Sequence, residues 1–178
     1  MHYVSAMTRP WQRVLLINSG IGNTGMYSAT ASECRWRAGD DLYNAMCSAV
    51  GHVLGKFPNA KVRALLWMQG EWDAERGMSQ STYTGHLQGM IAGFRAQFGA
   101  DIPVIVGGMK PAWVAADSVN RNPVQLALID SPNQIHLCGY ANPNASPAIG
   151  QTGGTDAHYT AAEQRIFADR FWTAFAGL

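Results

Sequence analysis

The sequence predicts an α/β domain, a three-layer sandwich with a mainly parallel sheet between helices. Three observations predict it. Short apolar runs of strand length alternate with longer segments whose apolar residues recur at helical spacing, the pattern of parallel βαβ units. Most runs end at Gly, Pro, Asn or Asp, which break regular structure and start turns. The length, 178 residues, suits about one domain, so residues 1–178 are read as a single unit. A chain of this size buries about 70% of the surface its unfolded form exposes.

The elements follow in order. Arg13 to Asn18 (RVLLIN) is predicted as a buried strand stopped by Ser19-Gly20. Asp40 to Lys56 is predicted as a helix, with Leu42, Ala45, Met46, Ala49, Val50, Val53 and Leu54 at helical spacing and Asp40 or Asp41 as its cap. Lys61 to Met68 is a second buried strand. Gln80 to Phe98 is a helix with Tyr83, Leu87, Met90, Ile91, Phe94 and Phe98 on one face. Ile102 to Val106 is a third strand, stopped by Gly107-Gly108. Asn122 to Asp130 is a short helix and Gln134 to Cys138 a fourth strand. Thr160 to Phe175 is a terminal helix, with Thr160 and Glu163 spaced for a capping box.

Composition narrows the partners. Thirteen Lys and Arg stand against twelve Asp and Glu, a formal charge of +1, which excludes a general electrostatic grip on nucleic acid. No apolar run is long enough to span a membrane. Met1 to Pro10 has no basic stretch followed by an apolar one, so no signal peptide is read there. Cys34, Cys47 and Cys138 lack zinc-ligand spacing and are read as free thiols, with no metal site.

In parallel sheets the active groups gather on loops beyond the carboxyl ends of the strands. That rule picks out Ser19 to Gly25, Gln69 to Asp73 and Gly107 to Trp113, with Gly150 to His158, before the last helix, as a fourth candidate; three stretches among these could carry chemistry. In Leu66-Trp67-Met68-Gln69-Gly70-Glu71-Trp72-Asp73 a strand runs straight into a Gly turn, leaving the Gln69 amide free to donate to a developing oxyanion. An ordinary polar loop fits the same residues. In Asn18-Ser19-Gly20-Ile21-Gly22-Asn23-Thr24-Gly25 the backbone N–H of Gly22 can face an oxyanion, though a plain turn also fits. The loop lacks the Lys of a phosphate-binding loop and the acid of a dinucleotide site. In Gly153-Gly154-Thr155-Asp156-Ala157-His158-Tyr159-Thr160, Asp156 stands two residues before His158, placed to hold the tautomer of a catalytic imidazole; helix capping uses the same stretch. His2, His52, His86 and His136 stand beside no such motif.

With these three segments in order, the chain resembles the SGNH hydrolase superfamily, in particular its carbohydrate esterase and sialate O-acetylesterase-like branch. The resemblance covers about residues 11 to 176 and rests on Ile21-Gly22-Asn23-Thr24-Gly25, on Trp67-Met68-Gln69-Gly70-Glu71-Trp72-Asp73 and on His158-Tyr159 before the last helix. Trp36, Gly39, Leu42-Tyr43 and Val106-Gly107-Gly108-Met109 fit as well. It implies a flavodoxin-like sheet and a serine esterase that removes O-acetyl groups from carbohydrate without a cofactor. His158 would be the general base, Asp156 would orient it, and Gly22 and Gln69 would form the oxyanion hole. Glu71 would support the Gln69 loop or take the place of the acid.

Two departures accompany the resemblance. The family's first block, a strand ending in Gly-Gln-Ser-Asn with the nucleophile, has no counterpart here, and Asp156 and His158 are one residue closer than the family's Asp-x-x-His. The nucleophile is therefore expected outside this chain, on an N-terminal segment or a second chain. Loss of that central strand would expose the middle of the sheet. Ser19 is the alternative nucleophile, with Ser5 behind it. The rival function is a catalytically inactive carbohydrate-binding domain of the same fold.

Overall fold

The computed structural model describes residues 13–26 and 35–178. The expectations for Ser5 and Cys34 lie outside the described residues. In chain order the elements are α1 (Asp41–Lys56), β1 (Leu65–Trp67), α2 (Glu71–Glu75), α3 (Gln80–Phe98), β2 (Val104–Gly107), α4 (Pro111–Ala116), α5 (Ser118–Gln134), β3 (Cys138–Ala141) and α6 (Ala161–Ala176). The strands form a parallel sheet in the order β1-β2-β3, Leu65 lying opposite Val104 and Val104 opposite Cys138. All three carboxyl ends therefore open on one side of the molecule.

Alternation along β2 divides the core into two layers. Val104 and Val106 join one cluster with residues of α1, α3 and α5, including Met46, Leu87, Phe94 and Leu128. Ile105 points the other way and packs with Ile149, Tyr159 and Phe167. On that second face α6 lies over β2 and β3. A Cβ on Gly139 would come within 2.9 Å of the Ala174 carbonyl, so the bare backbone of β3 is what lets α6 approach. Leu66, paired with Ile105 and on the same face, is left 53% exposed because α6 does not extend over β1.

Several expectations are corrected. Arg13 to Asn18 is not a buried strand: it is irregular, with Leu15 and Leu16 57% and 79% exposed. An apolar run becomes a strand only when a partner takes up its backbone groups, and among the described residues none pairs with it. Ile17 alone of the run packs against the core. The second strand shrinks to Leu65–Trp67, where β2 supplies partners. The short helix grows to Ser118–Gln134 despite Pro123 and Pro132 inside it. Burial of Val124, Ala127 and Leu128 against α3 and α2 outweighs the backbone bonds that proline removes. The fourth strand starts at Cys138 rather than Gln134, which still belongs to the helix. Asp40 occupies the N-cap of α1 without a side-chain cap bond, its carboxylate being drawn to Arg37 at 2.9 Å and Arg35 at 3.7 Å. The long central helix spans Gln80–Phe98, and the terminal one carries the Thr160–Glu163 capping box.

Candidate active site

The end of β1 turns on Gly70, whose φ of 158° and close neighbours, Val124 and Leu128, disfavour a side chain. The chain re-enters a helix at once, and α2 brings Asp73 back beneath Gln69. Asp73 is fully buried and is the hub of a polar network. Its Oδ2 accepts from the Met26 backbone N–H at 3.0 Å and from Gln69 Nε2 at 2.9 Å. Gln69 Nε2 also donates to the Thr24 carbonyl at 3.0 Å. Tyr83 Oη donates to the Gln69 carbonyl at 2.7 Å, lies 3.2 Å from Gln69 Oε1, and accepts from Trp67 Nε1 at 3.1 Å. Trp36 Nε1 donates to Thr24 Oγ1, which itself donates to the Ile21 carbonyl. Burial holds the Tyr83 phenol well above its ordinary pKa, with the Asp73 charge adding to the rise. A Cβ on Gly25 would stand 2.7 Å from Asp73 Oδ1, so the loop at Gly25 sits hard against the hub.

Both N–H groups of the Gln69 amide are thus committed, to a carbonyl and to a carboxylate. The expectation of a free amide is corrected: Gln69 ties the end of β1 to the Gly22–Gly25 loop. Gly22 itself is exposed, its Cβ position opens on empty space, and its N–H has no partner among the described residues.

His158 lies on the loop before α6. Its Nδ1 is 2.8 Å from Asp156 Oδ1, and its backbone N–H donates to the same oxygen at 2.9 Å. One intervening residue is therefore enough for the carboxylate to reach the ring. Those His158 hydrogen bonds, the backbone one foremost, draw the Asp156 carboxyl below its ordinary range. The pair is open to water, His158 at 88% and Asp156 at 64% side-chain exposure. Next along the chain, Tyr159 is buried and donates to the Gly108 carbonyl at 3.0 Å, which fastens the His158 loop to the carboxyl end of β2. Glu71 opens α2 directly after the Gly70 turn. It is half-buried by surface yet densely surrounded, so desolvation raises its carboxyl pKa; backbone N–H groups at Glu71 and Gly70 oppose the rise, and the charge of His158 does so as well. Gly22, Gln69, Asp156 and His158 lie on loops and Glu71 begins α2; Gln69 follows β1 and bonds the Thr24 carbonyl, and the His158 loop is fastened to the end of β2.

Ser19 precedes Gly22 on the same loop. It lines a hollow of about 200 Å³ with Ile21 and with Leu42, Ala45 and Met46 of α1, and no hydrogen bond links it to His158. Two residues of this region carried no role in the sequence reading. Asp73 ends the Trp-x-Gln-Gly-Glu-x-Asp segment, and its i, i+4 spacing from Gln69 across a turn was the available signal. Lys110 follows β2 in Gly107 to Trp113, and nothing in the sequence marks it as buried.

A family profile described as carbohydrate esterase, sialic acid-specific acetylesterase, matches residues 4–176. A comparison with curated protein sequences returned no match. Among solved structures the chain is similar to the crystal structure of NanS, with a TM-score of 0.62 at 20% identity. That alignment covers 88% of this chain and 62% of the other, so the chain spans under two thirds of that protein's length. The likeness is one of fold, an α/β architecture with a parallel sheet. With the profile running over nearly the whole sequence, the chain belongs to the sialic acid-specific acetylesterase family of carbohydrate esterases.

Proposed function

We propose that this chain carries the base and part of the oxyanion site of a serine esterase that removes O-acetyl groups from carbohydrate, sialic acids being the sugars that the family's description points to. The observation that carries the reading is the His158–Asp156 pair. Nδ1 is held by the carboxylate while Nε2 has no partner among the described residues. In the reaction a Ser hydroxyl gives its proton to Nε2 as its oxygen attacks the acetyl carbonyl. Asp156 fixes the tautomer and stabilises the imidazolium, and the Gly22 N–H stabilises the oxyanion. His158 then protonates the departing sugar oxygen, and water releases acetate from the acetyl-enzyme by the same route in reverse.

The Ser comes from outside the described residues, on a strand added beside β1. Support for this lies in the edge of β1 that no described strand pairs with, and in Leu66 and Met68, exposed beside it. The second reading, an inactive carbohydrate-binding domain, is favoured by one fact: no Ser hydroxyl hydrogen-bonds to His158 among the described residues.

Turnover of p-nitrophenyl acetate, with and without a serine-reactive organophosphonate, tests the assignment. The chain alone is expected to be slow, roughly 10³-fold over water at most, insensitive to the phosphonate and little changed by His158→Ala. Adding a segment that carries a Gly-x-Ser strand restores phosphonate-sensitive turnover under the esterase reading and none under the binding one. Fast turnover by the chain alone, abolished by both Ser19→Ala and His158→Ala, would make Ser19 the nucleophile and overturn an external Ser.

A further inference from the structure

Lys110 is 5% exposed, and its Nζ donates to the Gly153 carbonyl at 3.1 Å. Burying an ammonium costs several kcal/mol unless it is paired and hydrogen-bonded, so its position calls for a reason. The same Gly153 carbonyl accepts from the Asp156 backbone N–H at 3.2 Å. Asp156 in turn holds both the backbone N–H and the ring of His158. A continuous path therefore runs from the Lys110 ammonium through one carbonyl to Asp156 and on to the imidazole.

The surroundings fit this path closely. Gly153 has φ of 69°, a left-handed conformation that lets its carbonyl turn toward the ammonium. A Cβ on Gly150 would lie 2.8 Å from Lys110 Cγ, and one on Gly154 would lie 2.7 Å from the Ala112 carbonyl. Ala112 donates its N–H to the Gly150 carbonyl at 2.8 Å. The His158 loop is thus pressed along the segment from Lys110 to Ala112. The charged groups around the Asp156–His158 pair are Lys110 from the loop after β2, Glu71 from α2 and Glu163 from α6. Glu163 is occupied by the Gly150 and Thr160 N–H groups, and the Lys110 charge reaches both it and Asp156.

We infer that Lys110 is the positioning residue of the His158 loop: its buried ammonium clamps the Gly153 carbonyl and so fixes the turn from which Asp156 holds His158. The inference rests on the role proposed for His158, but its test does not depend on esterase activity. Asp156 is followed by carbon-detected NMR titration of its carboxyl in the wild type, in Lys110→Met, which keeps the apolar stem, and in Lys110→Arg, which keeps the charge. Loss of a nearby cation raises a carboxyl pKa, so the Asp156 midpoint is expected to move upward in Lys110→Met at low salt. Lys110→Arg should lie closer to the wild type, and amide exchange from Gly153 to His158 should quicken in Lys110→Met alone. Unchanged amide exchange from Gly153 to His158 in a folded Lys110→Met protein would reduce Lys110 to a packing residue and overturn the inference. Should that variant not fold, the wild type decides: nuclear Overhauser contacts from a slowly exchanging Lys110 ammonium to Gly153 and Asp156 support the clamp, and their absence refutes it. A normal clamp in a protein that never turns over acetyl esters even with a Ser strand added would sink the esterase reading and leave the clamp standing.

Discussion

Replacing Gln69 by Leu separates the two roles open to this side chain. Leu keeps nearly the same volume and removes both donors. The Thr24 carbonyl loses a bond of 3.0 Å and the fully buried Asp73 carboxylate one of 2.9 Å. A neutral hydrogen bond contributes about 1 kcal/mol and one to a charged group about 1.5–3 kcal/mol. The variant should therefore lose roughly 2.5–4 kcal/mol. At about 2–4 °C per kcal/mol for a chain of this size, the melting temperature falls by roughly 5–15 °C. Circular dichroism melts of both proteins at one pH and salt concentration measure it, with urea titration to check that the m-value is unchanged. A fall of under about 2 °C in a folded variant would mean that the amide is not committed to Thr24 and Asp73. It would then be free to donate to an oxyanion, as the sequence alone suggests.

The other predictions probe the same region. Gly25→Ala places a methyl 2.7 Å from Asp73 Oδ1 and from Trp72 Cδ1, and should cost about 1–3 kcal/mol in urea unfolding; a neutral result would show the loop able to lift off the hub. Glu71 has its pKa raised chiefly by desolvation, so the native state keeps this proton to higher pH than the unfolded state. Its contribution to stability is present below the ordinary carboxylate range and lost as pH rises through the raised value. Glu71→Gln should therefore gain melting temperature relative to wild type between pH 4 and pH 7, and an equal difference at both would refute the assignment. Cys47 and Cys138 are buried free thiols whose pKa values burial raises. In a Cys34→Ser background they should react with Ellman's reagent at pH 8 many times more slowly in buffer than in urea, and equal rates would contradict their burial.

The legible part of the fold was the part with strong local signals. Tyr83, Leu87, Met90, Ile91 and Phe94 fall on one side of a helix and are buried there, and Thr160 with Glu163 forms a capping box by spacing alone. Illegible parts depended on partners far along the chain. RVLLIN has the composition of a strand and no described neighbour to pair with. The strand at Cys138–Ala141 contains Gly139, which reads as a breaker, yet α6 needs that bare backbone to approach. Among the site residues, the loops could be placed from the strand order, because parallel strands put their carboxyl ends together. The state of the Gln69 amide could not, since its partners are Asp73, held below it by a turn of α2, and a carbonyl 45 residues earlier. Lys110 was invisible for a similar reason: a lysine beside Pro reads as surface until Gly153 is brought against it.

Burial divides the polar groups at the strand ends into two kinds. Asp73, Thr24 and Tyr83 are withdrawn from water, and half-buried Gln69 bonds to all three, so moving any of them strands the rest without partners. They make a rigid frame. His158 and Asp156 are in water, where an ion pair contributes little and a ring can turn. That freedom suits a group that must collect a proton and hand it on, but a developing oxyanion is stabilised far better where water is excluded. The bare apolar groups nearby point to how exclusion could arise. Leu66 and Met68 flank the end of β1 at 53% and 47% exposure, on the strand that leads into Gln69. Under the function proposed above, one added strand would supply the Ser, cover Leu66 and narrow the approach to His158 together. Oxidative footprinting can follow Leu66 and Met68 as a Ser-bearing segment is titrated in. Protection of both that rises in step with turnover would tie the three effects to one event, whereas turnover without protection would place the nucleophile on some other side of the site.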